Sequence, residues 1–239
     1  MIIQVPTQEL PIAPASAPPV ILSEERVVLR NISWETFDRL LEEAGDRRNT
    51  RFYYLDGTLE IMSPLFIHEG SNRFIEALIG AAAEVLEMNL RRAGSVTLRL
   101  KPKRAGAEPD SSFYIQSEPS IRHLNALDLK KDPPPDLVVE VDITSSSDRR
   151  FPIYARLGIP ELWQYNGKDI QYYILQDGEY VPVQISPTFP IVFADVLVSY
   201  LQRRLTIGEM QAIREFKAWL ETIRGGEGDD RTHEKAEIR

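Results

Sequence analysis

Apolar positions recur along this chain with two alternating periods, and the switches between them mark out its elements. Ser33 can cap a helix over 34–44 that Gly45 ends. Asp56-Gly57 sits between two apolar, aromatic-rich runs, 51–55 and 58–62, a strong hairpin signal that Ser63-Pro64 closes. From His68 to Arg92, Phe74, Leu78, Ala81, Val85 and Met88 fall at helical spacing, with Gly94 as the stop. Strands are predicted near 95–101, 110–115 and 136–143, and the polar stretch 116–133 reads as a long hairpin excursion. Thr144 to Asp148 can cap a short helix with Pro152 in its first turn and Gly158 at its end. Three further strands are expected at 161–165, 170–175 and 180–185, and Thr206-x-x-Glu209 as a capping box opening a last helix to about Arg224. This order predicts an α/β (α+β) fold, with helices flanking a central mixed β-sheet. The Pro-rich residues 1–24 read as a flexible arm and 25–224 as one domain. The charged residues 225–239 read as a disordered tail in which Gly225, Gly226 and Gly228 break any helix.

Composition narrows the class. The 239 residues are 43% apolar, enough to fill a core, and no apolar run approaches the roughly 18 residues needed to cross a bilayer. Met1 to Pro6 lacks the basic and apolar regions of a signal peptide. Without cysteine there is no disulfide framework, thiolate nucleophile or cysteine zinc site, and a cytoplasmic protein is expected. The net charge of −8 argues against a protein that coats nucleic acid non-specifically but leaves a nuclease open. Basic residues are nevertheless concentrated: 91–104 holds six and no acid. Arg99, Lys101, Lys103, Arg104 and Arg149 are candidates for steering phosphate; the alternative is an ordinary solvated strand face.

The chemistry is suggested by acids set into apolar strands. Glu108-Pro109-Asp110 opens one strand, and Asp136-Leu137-Val138-Val139-Glu140-Val141-Asp142 forms another. A carboxylate inside a sheet is costly to desolvate unless it is paired or bound to a metal. Alternation sets Leu137, Val139, Val141 and Ile143 on one face and Val138, Glu140 and Asp142 on the other. Glu140 and Asp142 then project together about 7 Å apart, and Asp110 meets them if the two strands pair. Hard oxygen ligands of this kind select Mg²⁺ or Mn²⁺ over zinc; salt bridges to arginine are the other reading. Such an ion activates water and offsets charge on a phosphate.

The segments DGTLEIMSP (56–64), His68-Glu69, EPDSSFYIQ (108–116), DPPPDLVVEVDITSSS (132–147), FPIYARLGIPELWQYNG (151–167) and QDGEYVPV (176–183) resemble the putative restriction endonuclease family of the PD-(D/E)XK nuclease superfamily. The resemblance covers roughly residues 30–200. It implies a restriction-endonuclease-like fold and phosphodiester hydrolysis in DNA, with Asp110 and Glu140 binding the metal. Asp142 stands where the superfamily often has its lysine. In the family that lysine moves to the start of the next helix, where this chain has Arg150. Arginine can clamp a phosphate but cannot serve as a base at neutral pH. His68 and Glu69 match a pair near which superfamily members supply another acid; a helix-start cap explains Glu69 equally. A double-strand cut would call for two sites, hence a homodimer.

Two other readings stay open. A catalytically impaired relic of the fold would bind nucleic acid or a protein partner, and a carboxylate-pair hydrolase would act on sugars without metal. Glu60 is expected to face solvent. Trp163, Tyr165, Tyr172 and Tyr173 are expected to pack in the core rather than to stack on bases.

Overall fold

The computed structural model describes residues 25–234 apart from 46, 47, 49, 64, 65 and 144–146, and no side chain at 66, 67 or 226–234. The N-terminal arm, Pro64, residues 144–146 of the capping sequence and the last five residues of the tail lie outside this description. Eleven strands and six α-helices follow one another among the described residues. In order they are β1 (Glu25–Leu29), α1 (Trp34–Ala44), β2 (Arg51–Leu55), β3 (Thr58–Ser63), α2 (Phe66–Val85), β4 (Arg91–Arg92), β5 (Leu98–Leu100), β6 (Ala105–Ala107) and β7 (Ser111–Tyr114). Then come α3 (Glu118–Ile121), β8 (Leu137–Val141), α4 (Phe151–Leu157), β9 (Glu161–Tyr165), β10 (Ile170–Gln176), β11 (Glu179–Val183), α5 (Ala194–Ile207) and α6 (Glu209–Glu234).

The strands form two sheets, ordered β1-β3-β2-β6-β5 and β11-β10-β9-β8-β7-β4. The second is mixed, because β8 and β9 run parallel across the α4 connection while its other pairs are antiparallel. Alternation along β8 sorts its side chains between two cores. Leu137, Val139 and Val141 pack with Trp163, Tyr165 and Tyr172 under α2, α5 and α6. Val138 and Leu162 face the other way, onto Ile153, Tyr154 and Leu157 of α4 and onto Tyr53, Met62 and Leu98 of the first sheet. The outer face of that sheet is closed by Trp34, Phe37 and Leu41 of α1. The fold is thus layered: α1, a sheet, α4, the mixed sheet, and the α2–α5–α6 group.

Local chemistry explains the elements. Ser33 caps α1 through Thr36 N at 3.1 Å. Asp56 and Gly57 both take positive φ, the twist-matched turn of a two-residue hairpin. Ala-Gly-Ala forms β6, a strand no propensity suggests, by pairing with β2 and β5, and a Cβ at Gly106 would meet the Phe37 ring at 2.8 Å. Helix α2 ends at Val85 rather than running to Gly94. Glu87 adopts φ +57° and Met88 N bonds back to Ala83 O at 2.8 Å, a Schellman end without its usual glycine. Helix α5, absent from the sequence reading, starts at Phe193, which offers no side-chain cap. Thr206 therefore lies inside α5 rather than opening the last helix, and Gly208 separates the two. Helix α6 continues through Gly225, Gly226 and Gly228, where the sequence predicts a break. Among the described residues no helix is long and apolar enough to cross a membrane.

Asp136, which opens β8, is a fastener of the excursion. It accepts from Ile115 N at 2.6 Å, Ser117 N at 2.9 Å and Ser117 Oγ at 2.8 Å. Asp136→Ala leaves two amides without their acceptor, so chemical denaturation should report a loss of about 2–4 kcal/mol. A loss within error would mean that water replaces the carboxylate there.

Candidate active site

Strands β7 and β8 pair antiparallel with Ser111 opposite Val139, and the same register continued by one residue sets Asp110 opposite Glu140. Val141 N donates to Asp110 Oδ2 at 2.9 Å, which locks the aspartate to the strand that carries the glutamate. Asn72 of α2 holds the Asp110 carbonyl at 3.0 Å, and Ser111 Oγ lies 2.5 Å from Glu76. Asp142 follows Glu140 on the same face. It accepts from Ser147 N and Gln164 Nε2, each at 2.7 Å, and so shapes the turn that leads to Arg150. All three carboxylates are buried, Glu140 completely.

Arg150 ends a short 3₁₀ turn over Asp148–Arg150 and projects between the sheets. Its guanidinium bonds Glu140 Oε2 at 2.8 Å and Glu60 Oε1 at 3.2 Å, and lies 3.9 Å from the centre of the Tyr53 ring. Tyr154, one helical turn further on, donates to Glu140 Oε1. Both oxygens of Glu140 are therefore engaged within the chain. The expectation that Glu60 faces solvent is reversed: Glu60 is buried and bonds Arg150 from the inner face of β3.

Electrostatics follows from burial. Desolvation pushes Glu140 up to about 8, with the charges of Asp110 and Asp142 adding to the rise and Arg150 opposing it. Burial likewise raises Asp110, against the Val141 amide and Arg51, and raises Asp142, against its bonds from Ser147. Arg51 Nε is 3.8 Å from Asp110 Oδ1. The Tyr53 hydroxyl, kept neutral by burial, has no hydrogen-bond partner among the described residues. A divalent cation suits this setting. It would relieve the mutual repulsion of Asp110 and Glu140, and Mg²⁺ asks for only one or two protein carboxylates. Among the described residues no group of three or more His, Asp or Glu side chains is gathered as a cage, so the remaining ligands would have to be water or substrate. Glu140 would also have to exchange Arg150 for the ion.

The chain is similar to known proteins over most of its length. The family model described as Uma2, putative restriction endonuclease, matches residues 34–204, which carry every element from α1 into α5. The chain belongs to that family. A solved structure, a putative nuclease belonging to DUF820 from Anabaena variabilis, has 15% identity, covers 71% of this chain and 99% of its own, and superposes with a TM-score of 0.50. At that identity the likeness shows the fold alone. No curated protein matches the chain. Within this Uma2 chain the segment that the family shares brings Asp110, Glu140 and Arg150 together.

The other expected site residues fall on other elements. Glu69 pairs with Arg73 at 2.7 Å along α2, and His68 is buried at the start of that helix. Three members of the basic stripe face acids: Arg99 pairs with Asp38, Lys101 with Glu35 at 3.0 Å, and Arg104 with Asp56 at 3.6 Å. Lys103 and Arg149 are exposed. Glu108 is occupied structurally by Arg48, Thr97 and, at 2.8 Å, Phe52 N. Trp163, Tyr165 and Tyr172 are core residues, as expected, and half-buried Tyr173 bonds Gln164 at 3.1 Å. The sequence reading missed Tyr53, Tyr154, Gln164 and Arg51. Tyr154 was findable, since it lies four residues after Arg150 on one helical face. Gln164 meets Asp142 only because β9 runs parallel to β8, which no local signal announces.

Proposed function

We propose that the protein is a divalent-metal-dependent endonuclease hydrolysing phosphodiester bonds in DNA, with Asp110 and Glu140 holding Mg²⁺ or Mn²⁺. The observation that carries this reading is the pair itself, two buried carboxylates opposed across adjacent strands beside a buried hydroxyl with no hydrogen-bond partner among the described residues. When bound, the ion supplies water activation and charge offset at the phosphate. Arg150 holds the phosphate oxygens through its forked donors and takes no part in proton transfer, because a guanidinium stays charged. Tyr53 offers one further donor to the same group, and Tyr154 fixes the orientation of Glu140. Asp142 and Gln164 set the turn from which Arg150 projects. His68 and Glu69 support the site from the first turn of α2, while Lys103 and Arg149 meet the DNA backbone. A homodimer acting in the cytoplasm would bring two such sites to the two strands.

The engaged state of Glu140 favours one competing reading: a relic in which Arg150 permanently fills the cation's place. Nicking of supercoiled plasmid with Mg²⁺ or Mn²⁺ separates them. The enzyme cuts, and stops in excess chelator; the relic stays silent. Activity that appears only in Arg150→Lys would identify a silenced nuclease.

A further inference from the structure

Glu60 is the one acid around Arg150 that the chemistry above leaves without a task. It sits in the middle of β3 with 9% of its surface exposed, and a buried carboxylate is costly unless it is paired. Its hydrogen-bond partner is Arg150, and the way the two meet is informative. Tyr53 of β2 stands directly opposite Glu60 across the hairpin, so both side chains leave the same face of the first sheet. The Tyr53 ring takes the flat face of the guanidinium at 3.9 Å, and Glu60 Oε1 takes its edge at Nη2, 3.2 Å away. The hairpin is thus a two-sided seat for the arginine, made without help from the mixed sheet. The mixed sheet adds a bond from Nη1 to Glu140 at 2.8 Å. Separate nitrogens serve the two acids, so giving up one bond does not require giving up the other.

We infer that Glu60 is a positioning residue, which keeps Arg150 seated on the hairpin when Glu140 passes to a divalent cation. This role rests on the reading of Asp110 and Glu140 as the cation's ligands. The balance of charge favours it. Glu60, Asp110, Glu140 and Asp142 are all buried within electrostatic reach of Arg150. Even with Arg51 beside Asp110, two guanidiniums do not balance four acids, so a cation can enter without expelling the arginine. Without Glu60, Glu140 would be the only acid hydrogen-bonded to Arg150 among the described residues. Every ion bound at Glu140 would then strand a buried guanidinium. The Tyr53 ring does not prevent this, because its face attracts a cation but carries no charge to neutralise it. Glu60 therefore lowers the cost of the exchange and leaves Arg150 in place for the phosphate it is proposed to hold.

The test is calorimetric titration of the whole chain with Mn²⁺, which reads the ion without cleavage. Glu60→Gln keeps an oxygen for the guanidinium but no charge, and should raise the Mn²⁺ dissociation constant by about tenfold. Arg150→Gln removes the competitor and should lower it by about the same factor. The double variant decides the route. In the Arg150→Gln background Glu60→Gln should cost no more than about threefold, because Glu60 acts through the arginine. An equal loss in both backgrounds overturns the proposal, since Glu60 would then act on the ion directly; wild-type affinity in Glu60→Gln overturns it as well. Thermal unfolding checks that the variants fold. If Arg150→Gln does not, Glu60→Asp takes its place: the shorter side chain keeps the charge and draws it back from the guanidinium. Weakened Mn²⁺ binding in Glu60→Asp then upholds the proposal, and wild-type binding overturns it. No Mn²⁺ binding by the wild type overturns the cation pair and this role together. The expected pattern with plasmid left uncut in every metal leaves the role of Glu60 standing while the nuclease reading falls.

Discussion

Replacing Arg150 by methionine should lower folding stability by about 3–5 kcal/mol, because breaking a buried ion pair leaves an uncompensated charge. Two carboxylates lose their partner at once, Glu140, with 0% exposure, and Glu60. The Tyr53 ring loses a guanidinium stacked 3.9 Å from its centre, worth up to about 2 kcal/mol when desolvated. Chemical denaturation with an unchanged m-value measures the effect. A control separates charge from packing: Glu140→Gln in the Arg150→Met background should recover part of the loss, since removing both charges of a buried pair is far milder than removing one. A loss below about 1 kcal/mol in the single variant would mean that water already screens the pair, as at exposed salt bridges, and the buried triad would be mislocated.

The second large effect is on catalysis. Asp110→Asn and Glu140→Gln keep side-chain size and leave an oxygen for the Val141 amide and for Tyr154. Each removes one of two anionic ligands proposed for the cation. An ion acting on a phosphate is worth several kcal/mol of barrier, so plasmid nicking should fall by about 10³-fold in either variant. Calorimetric titration with Mn²⁺ should lose its signal in parallel, which ties the loss to the ion rather than to the fold. Nicking retained at the wild-type level by both variants would sink the assignment of these two carboxylates.

Much of this architecture could be read from residues close in sequence. The Asp56-Gly57 turn, the Ser33 cap and the alternation along β8 are local, and each led directly to its element. Where the reading missed, distant parts of the chain decide. Helix α2 stops at a glutamate in a glycine's conformation, held by a bond from Met88 to Ala83 that composition does not suggest. Strand β6 is made by pairing with β2 and β5, and its glycine leaves room for Phe37 of α1. The same division holds at the candidate site. Asp110, Glu140 and Arg150 stood out because charges interrupt apolar runs or because the family pattern aligns there. Glu60 and Tyr53 did not, since their importance depends on which face of β2 and β3 is covered, and that is set by the second sheet. The basic stripe was visible as a charge cluster, but its partners Glu35, Asp38 and Asp56 lie 48 to 66 residues away in sequence.

The bond from Arg150 to Glu60 spans 90 positions of the chain and crosses from one sheet to the other. Contacts of that reach form only after the intervening loop has been closed, and they are typical of slow, late steps in folding. Neither sheet alone contains the machinery: β3 brings Glu60, β8 brings Glu140, and the arginine arrives on the segment that enters α4. A chain that has folded only the mixed sheet therefore sets Asp110 beside Glu140 but leaves Arg150 without Glu60 and without the Tyr53 ring. The buried cluster around Arg150 is complete only when the two sheets close on each other.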